Sequence, residues 1–131
     1  MKYILDTSAV MAFFLAEKGN DVVERILQRP PGSCCIHSVN WVELHYKMHS
    51  RGGYLASKTA IENLRLAGVA VTDISGEDFL LRVSQIKITH PFLSLGDCYA
   101  VGLSEWLKGT VVTSDKRFSE ASEFTRIRLI R

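Results

Sequence analysis

Asp6, Glu43, Asp97 and Asp115 stand apart from the ordinary surface charge of this chain. Asp6 closes the apolar run Tyr3-Ile4-Leu5, and Asp115 follows Val111-Val112 across Thr113 and Ser114. Glu43 and Asp97 each fall in the first turns of a predicted helix, on its partly inward side. In a parallel α/β layer, the C-terminal ends of strands and the starts of the following helices share one sheet edge, where such sheets bind ligands. Carboxylates converging there repel one another and raise each other's pKa values. Divalent cations between them relieve that repulsion. Hard oxygen donors in this number suit Mg²⁺ or Mn²⁺ better than Zn²⁺, which prefers His and Cys. Two such ions ~3.5–4 Å apart could activate a water and stabilise a leaving oxygen in phosphodiester cleavage.

Each acid also has a plain structural use. Asp6 can cap the next helix, as can Thr7 and Ser8. Asp97 can cap its own helix and favour the positive end of its dipole. Glu43 can pair with Lys47 one turn on. Asp115 can be a turn residue before Lys116 and Arg117. A functional site is favoured because all four acids fall on the same predicted edge.

The elements that position them follow from the apolar pattern. Tyr3-Ile4-Leu5 reads as a buried parallel strand, since β-favouring apolar residues run without alternation. A short helix is expected over 9–15 and a second from Val22 to Gln28, where Pro30-Pro31-Gly32 turns the chain. Residues 33–37 read as the second strand. Ser38 caps a helix to about Ser50, with Val39, Val42 and Tyr46 as the inward stripe and Glu43 beside it. Arg51-Gly52-Gly53 stops that helix, and another runs from Leu55 to Leu66 with Ile61, Leu64 and Leu66 apolar. Val69-Ala70-Val71 is the third strand. Ser75 caps a helix with Phe79, Leu80, Val83 and Ile86 inward, and it ends before Pro91. Leu93 to Gly96 reads as a loop, with Asp97 opening the next helix. Thr110-Val111-Val112 is the fourth strand, and 125–130 an edge strand after a short helix. Strands alternating with helices argue for a parallel sheet covered on both faces.

At 131 residues, the chain fits one domain, taken as 1–131. A hydrophobic fraction of 47% and a charged fraction of 23% are those of a globular protein. The net charge of +2 is too small to argue for a nucleic-acid partner by itself. No apolar run reaches the ~18 residues of a membrane span, and no secretion signal is visible. The three cysteines, Cys34, Cys35 and Cys98, form no CxxC, so a reducing cytoplasm is expected.

With these residues in place, the chain resembles the PIN domain, and within it the ribonuclease toxins of the VapBC type. The matching segments are Ile4-Leu5-Asp6-Thr7-Ser8, Ser38-Val39-Asn40-Trp41-Val42-Glu43-Leu44, Leu95-Gly96-Asp97-Cys98-Tyr99-Ala100 and Val112-Thr113-Ser114-Asp115-Lys116-Arg117-Phe118. The resemblance implies a three-layer α/β/α sandwich around a five-stranded parallel sheet in the order 3-2-1-4-5. It implies a Mg²⁺- or Mn²⁺-dependent endoribonuclease with Asp6, Glu43 and Asp97 as core metal-binding acids. Asp115 would be the fourth acid, supported by Thr113 or Ser114. It further implies an RNA substrate, a homodimer and a VapB-like antitoxin whose tail presents a basic side chain to the acidic pocket. Asn40 departs from the pattern, since Thr or Ser is common there. It is polar and on the pocket side of its helix, so activity is still expected.

Other candidates are weaker. His45 and His49 have the spacing of a metal pair but project away from Glu43 and lack HExxH. The cysteines suit buried packing. Lys116 and Arg117 could meet RNA phosphates, whereas Arg126 and Arg128 suit a charge-protected sheet edge. Trp41 and Trp106 are expected in the core or at a dimer contact. A phosphatase with an aspartyl nucleophile would need an acid at Ser8. A receiver domain would need a second acid beside Asp6. A non-cleaving RNA-binding or scaffolding module is the remaining alternative.

Overall fold

A computed structural model of the protein describes residues 2–131. The elements run β1 (Tyr3–Leu5), α1 (Thr7–Phe14), α2 (Asn20–Leu27), β2 (Cys34–His37), α3 (Ser38–Leu66), β3 (Ala70–Thr72), α4 (Glu77–Thr89), α5 (Leu95–Leu107), β4 (Thr110–Thr113), a 3-10 helix (Lys116–Ala121) and β5 (Arg126–Leu129). The strands form one all-parallel sheet in the order β3-β2-β1-β4-β5. This is the expected fold.

Alternate strand residues feed two separate cores. Leu5, Cys34, Ile36 and Val112 join residues of α1, α2 and α3 on one face. Ile4, Cys35 and Val111 join residues of α4 and α5 on the other. Both faces of β1, β2 and β4 are therefore covered, which is why those strands read as unbroken apolar runs. All three cysteines are buried in these layers with free thiols.

Several local expectations are corrected. Val42 and Tyr46 are more than half exposed, and the buried face of α3 is Asn40, Leu44 and Met48. The expected break at Gly52-Gly53 is present, as a kink where the two helical segments of α3 meet. Only Gly53 leaves the helical region (φ 78°, ψ −168°), and the helix resumes at once. Leu66 and Leu80 face solvent, because Ile61, Leu64, Phe79, Val83 and Ile86 already fill their layers. Helix α5 begins at Leu95. Ser94 is its N-cap, and Asp97 is the third residue of a capping box. Likewise His37 caps α3 in place of Ser38, and Gly76 precedes α4. Trp106 is half exposed and meets Phe79 edge-on. His45 stacks on Trp41, with ring centroids 5.6 Å apart.

Candidate active site

Asp6 sits where the central strand gives way to α1, and it is the N-cap of that helix. It is only 3% exposed. Its protein hydrogen bonds fall on one oxygen. Oδ2 accepts from Ser8 Oγ at 2.6 Å, Thr113 Oγ1 at 2.9 Å and the Ser8 backbone N–H at 3.3 Å. Oδ1 accepts no hydrogen bond from the described residues. Burial raises the Asp6 pKa from 3.8 to about 6, and the charges of Asp97 and Glu43 push it further up, against the two hydroxyl donors. The capping role and a chemical role thus coexist in this residue.

Ser8 and Thr113 belong to a network that ties the start of α1 to the end of β4. Ser8 Oγ accepts from the Ser114 N–H at 3.1 Å, and Thr113 Oγ1 accepts from the Asp115 N–H at 3.1 Å. Glu43 comes from the first turns of α3. Its Oε1 accepts from Thr7 Oγ1 at 2.8 Å and from Asn40 Nδ2 at 3.2 Å, while Oε2 faces Lys47 at 3.6 Å. The structural use expected of Glu43 is therefore real as well. Asp97 Oδ2 accepts from the Ser94 N–H at 2.9 Å. Burial raises the Asp97 pKa, opposed by its bonds to Ser94 and reinforced by Asp115 and Glu43.

Asp115 is held differently. Both its oxygens engage the Arg117 guanidinium, at 2.6 to 3.1 Å, and Oδ1 also accepts the Arg117 N–H. Those bonds hold its carboxyl below the usual value. Arg117 Nη1 reaches the Phe92 carbonyl at 3.4 Å, and its charge is felt at Asp97 and Asp6. Lys116 is exposed beside it.

The structure brings Asp6, Glu43 and Asp97 within electrostatic reach of one another, with Asp115 at the margin. Among the described residues, no three His, Cys, Asp or Glu side chains stand close enough together to hold a metal ion as they are placed. The donor chemistry nevertheless fits a hard divalent cation. Two acids with raised pKa values repel their neighbours, and Asp6 keeps one oxygen free of protein donors.

Gly96 is a site residue with no chemical signal of its own. A Cβ there would stand 2.5 Å from Glu43 Oε1, so the glycine lets the Glu43 carboxylate lie against the first turn of α5. Next to Glu43, a groove of about 430 Å³ is lined by Val39, Val42, Tyr46, Ser94, Leu95 and Gly96. The residues expected as the inward stripe of α3 are its wall.

No curated protein matches the chain. Solved structures do. VapBC-1 from nontypeable Haemophilus influenzae is 18% identical, with 99% of this chain and 98% of that chain covered and a TM-score of 0.74. VapC20 of Mycobacterium tuberculosis, a sarcin–ricin loop cleaving toxin, is 17% identical over 97% and 99%, with a TM-score of 0.76. VapBC2 from Rickettsia felis, bound to a DNA fragment from their promoter, is 14% identical over 98% of each chain, with a TM-score of 0.75. At these identities the likeness is one of fold. The family's own sequence pattern reaches from β1 through the 3-10 helix, residues 3–123, and on that match the chain belongs to the PIN domain family.

Proposed function

We propose that this protein is a Mg²⁺- or Mn²⁺-dependent endoribonuclease and the toxin of a toxin–antitoxin pair. The observation that carries this is the state of Asp6. It is a buried, pKa-raised carboxyl with one oxygen pinned by Ser8 and Thr113, the other free, and two further acids within reach. Asp6, Glu43 and Asp97 would hold the cation. When bound, it would lower the pKa of water and offset charge developing on a phosphodiester.

The chain's own residues prepare that site. Ser8 and Thr113 fix the Asp6 carboxylate, and Ser114 and Asp115 anchor those two hydroxyls through their backbone N–H groups. Thr7 and Asn40 fix Glu43, and Ser94 fixes Asp97. Asp115 enters as the fourth acid. To act as a ligand itself it must release Arg117; otherwise it aims that guanidinium, with Lys116 beside it, at RNA phosphates. A homodimer and a VapB-like antitoxin are part of this reading. The toxin–antitoxin relatives support the partner, and the exposed apolar wall beside Glu43 supports a covered surface. The cytoplasm is the proposed location. Among the described residues, no helix is long and apolar enough to cross a membrane.

A second reading, a non-cleaving RNA-binding module, draws on the cations Lys47 and Arg117, which already neutralise two of the four acids. One experiment separates them. Purified protein is incubated with a structured RNA pool in Mg²⁺, Mn²⁺ or EDTA, beside Asp97→Ala. Cuts that need the cation and vanish in the variant support the nuclease. RNA binding without such cuts supports the module. Growth arrest on expression in bacteria, relieved by Asp97→Ala, tests the toxin role.

A further inference from the structure

Asn40 is fully buried, and its amide is used unevenly. Nδ2 donates to Glu43 Oε1 at 3.2 Å and to the Gly96 carbonyl at 3.0 Å. Oδ1 has no partner, and among the described residues it is the one buried side-chain nitrogen or oxygen left so. Turning the amide over would face Oδ1 toward two acceptors, so the surroundings permit only this orientation. An orphaned interior acceptor opposes folding. The stability of the α3 core does not explain an asparagine here, because an apolar side chain would leave no interior acceptor orphaned.

The contacts of Asn40 suggest another use. Its backbone carbonyl accepts from Thr7 Oγ1 at 3.3 Å, in the residue after Asp6. Its side chain holds Glu43 within α3. It also holds Gly96, the residue before Asp97, within α5. One buried residue thus touches the elements that bear each of the three core acids. We propose that Asn40 is a positioning residue that sets the separation of Glu43 and Asp97 and so makes the acid cluster competent to take a divalent cation. This rests on the cation-binding reading above.

The test is Asn40→Leu, which removes the two donated bonds and the orphaned oxygen together. Thermal unfolding in chelator and calorimetric Mn²⁺ titration are measured on wild type, Asn40→Leu, Glu43→Gln and the double variant. The expected result is a folded protein whose unfolding midpoint stays near that of wild type, since relief of the orphaned oxygen offsets the tighter packing, with a Kd for Mn²⁺ at least tenfold weaker. The double variant should bind no worse than Glu43→Gln, because Asn40 acts through that carboxylate. Unchanged affinity in Asn40→Leu, or losses that simply add, would overturn the proposal. Wild type that takes up no Mn²⁺ would overturn the cation-site reading itself, and this inference with it. If Asn40→Leu does not fold, Asn40→Ala carries the same test, since its methyl can donate neither to Glu43 nor to the Gly96 carbonyl.

Discussion

Replacing Asp6 with Asn changes a charge while keeping the shape and the cap. Asn is as good an N-cap as Asp, and its amide oxygen can take the place of Oδ2 between Ser8 and Thr113. What it removes is a carboxyl whose pKa rises from 3.8 to about 6 on folding. At about 1.36 kcal/mol for each pKa unit, the ionised group costs the cation-free fold roughly 3 kcal/mol at neutral pH. Its near-complete burial leaves little solvent to screen that cost. The protons set the sign. Between the two pKa values the folded protein holds a proton that the unfolded chain has lost. Stability therefore falls as pH rises through that window and levels off above it. Asp6→Asn should match wild type in acid and exceed it at neutral pH, by about 10 °C in midpoint for a chain of this length. The assay is thermal unfolding by circular dichroism in chelator, from about pH 3.5 to 8. Excess Mn²⁺ should reverse the order, because a ligand bound only by the folded wild type stabilises it by mass action. A variant less stable than wild type at neutral pH, or a difference that ignores pH, would refute the reasoning.

Two other substitutions probe the edges of the site. Gly96→Ala puts a methyl 2.5 Å from Glu43 Oε1, and the flexible Glu43 side chain can swing away. Because Ala is the better helix former by up to ~1 kcal/mol, the midpoint should move by only a few degrees. Mn²⁺ affinity by calorimetry should fall tenfold or more, and an unchanged affinity would detach Glu43 from the site. Arg117→Ala removes the guanidinium from both oxygens of Asp115 and leaves only the backbone N–H of position 117 on Oδ1. If the guanidinium meets a phosphate, RNA binding measured in an Asp6→Asn background should weaken, with a salt slope smaller by about one. An unchanged slope would leave Arg117 as the partner of Asp115 alone.

The strand order and the addresses of the acids are legible in the sequence because they depend on short apolar runs and on the polar residues just after them. Tyr3-Ile4-Leu5 and Val111-Val112 form the middle of the sheet, and no charged residue interrupts them. Helix α3 misleads for a physical reason. Its apolar residues Val42 and Tyr46 wall an open groove, while a polar residue, Asn40, sits at the centre of the buried face. Periodicity marks apolar residues as inward, and here they point outward. The start of α5 is legible in principle, since Ser94 and Asp97 carry the spacing of a capping box. Asp97 reads equally well as the cap itself, because nothing local tells a cap from a third residue. The contacts of Asn40 with Gly96 and of Ser8 with Thr113 join residues 56 and 105 positions apart, and such pairs leave no local trace.

The same geometry explains why the four acids are unequal. β1 is the middle strand, flanked by β2 and β4, so its C-terminal end lies deepest in the edge. Asp6 occupies that end, and desolvation is the largest influence on its carboxyl. Asp115 leaves β4, one strand outward, where a quarter of its side chain stays exposed and Arg117 can reach it. Glu43 and Asp97 come in from helices on opposite faces of the sheet, each anchored near its N-terminus. A chain selected only for stability would not leave an ionisable acid at the most buried of these positions. Moving the acid outward, or replacing it with Asn, would keep the cap without the penalty. Asp6 at the end of the central strand is therefore the residue whose cost most needs a function to account for it.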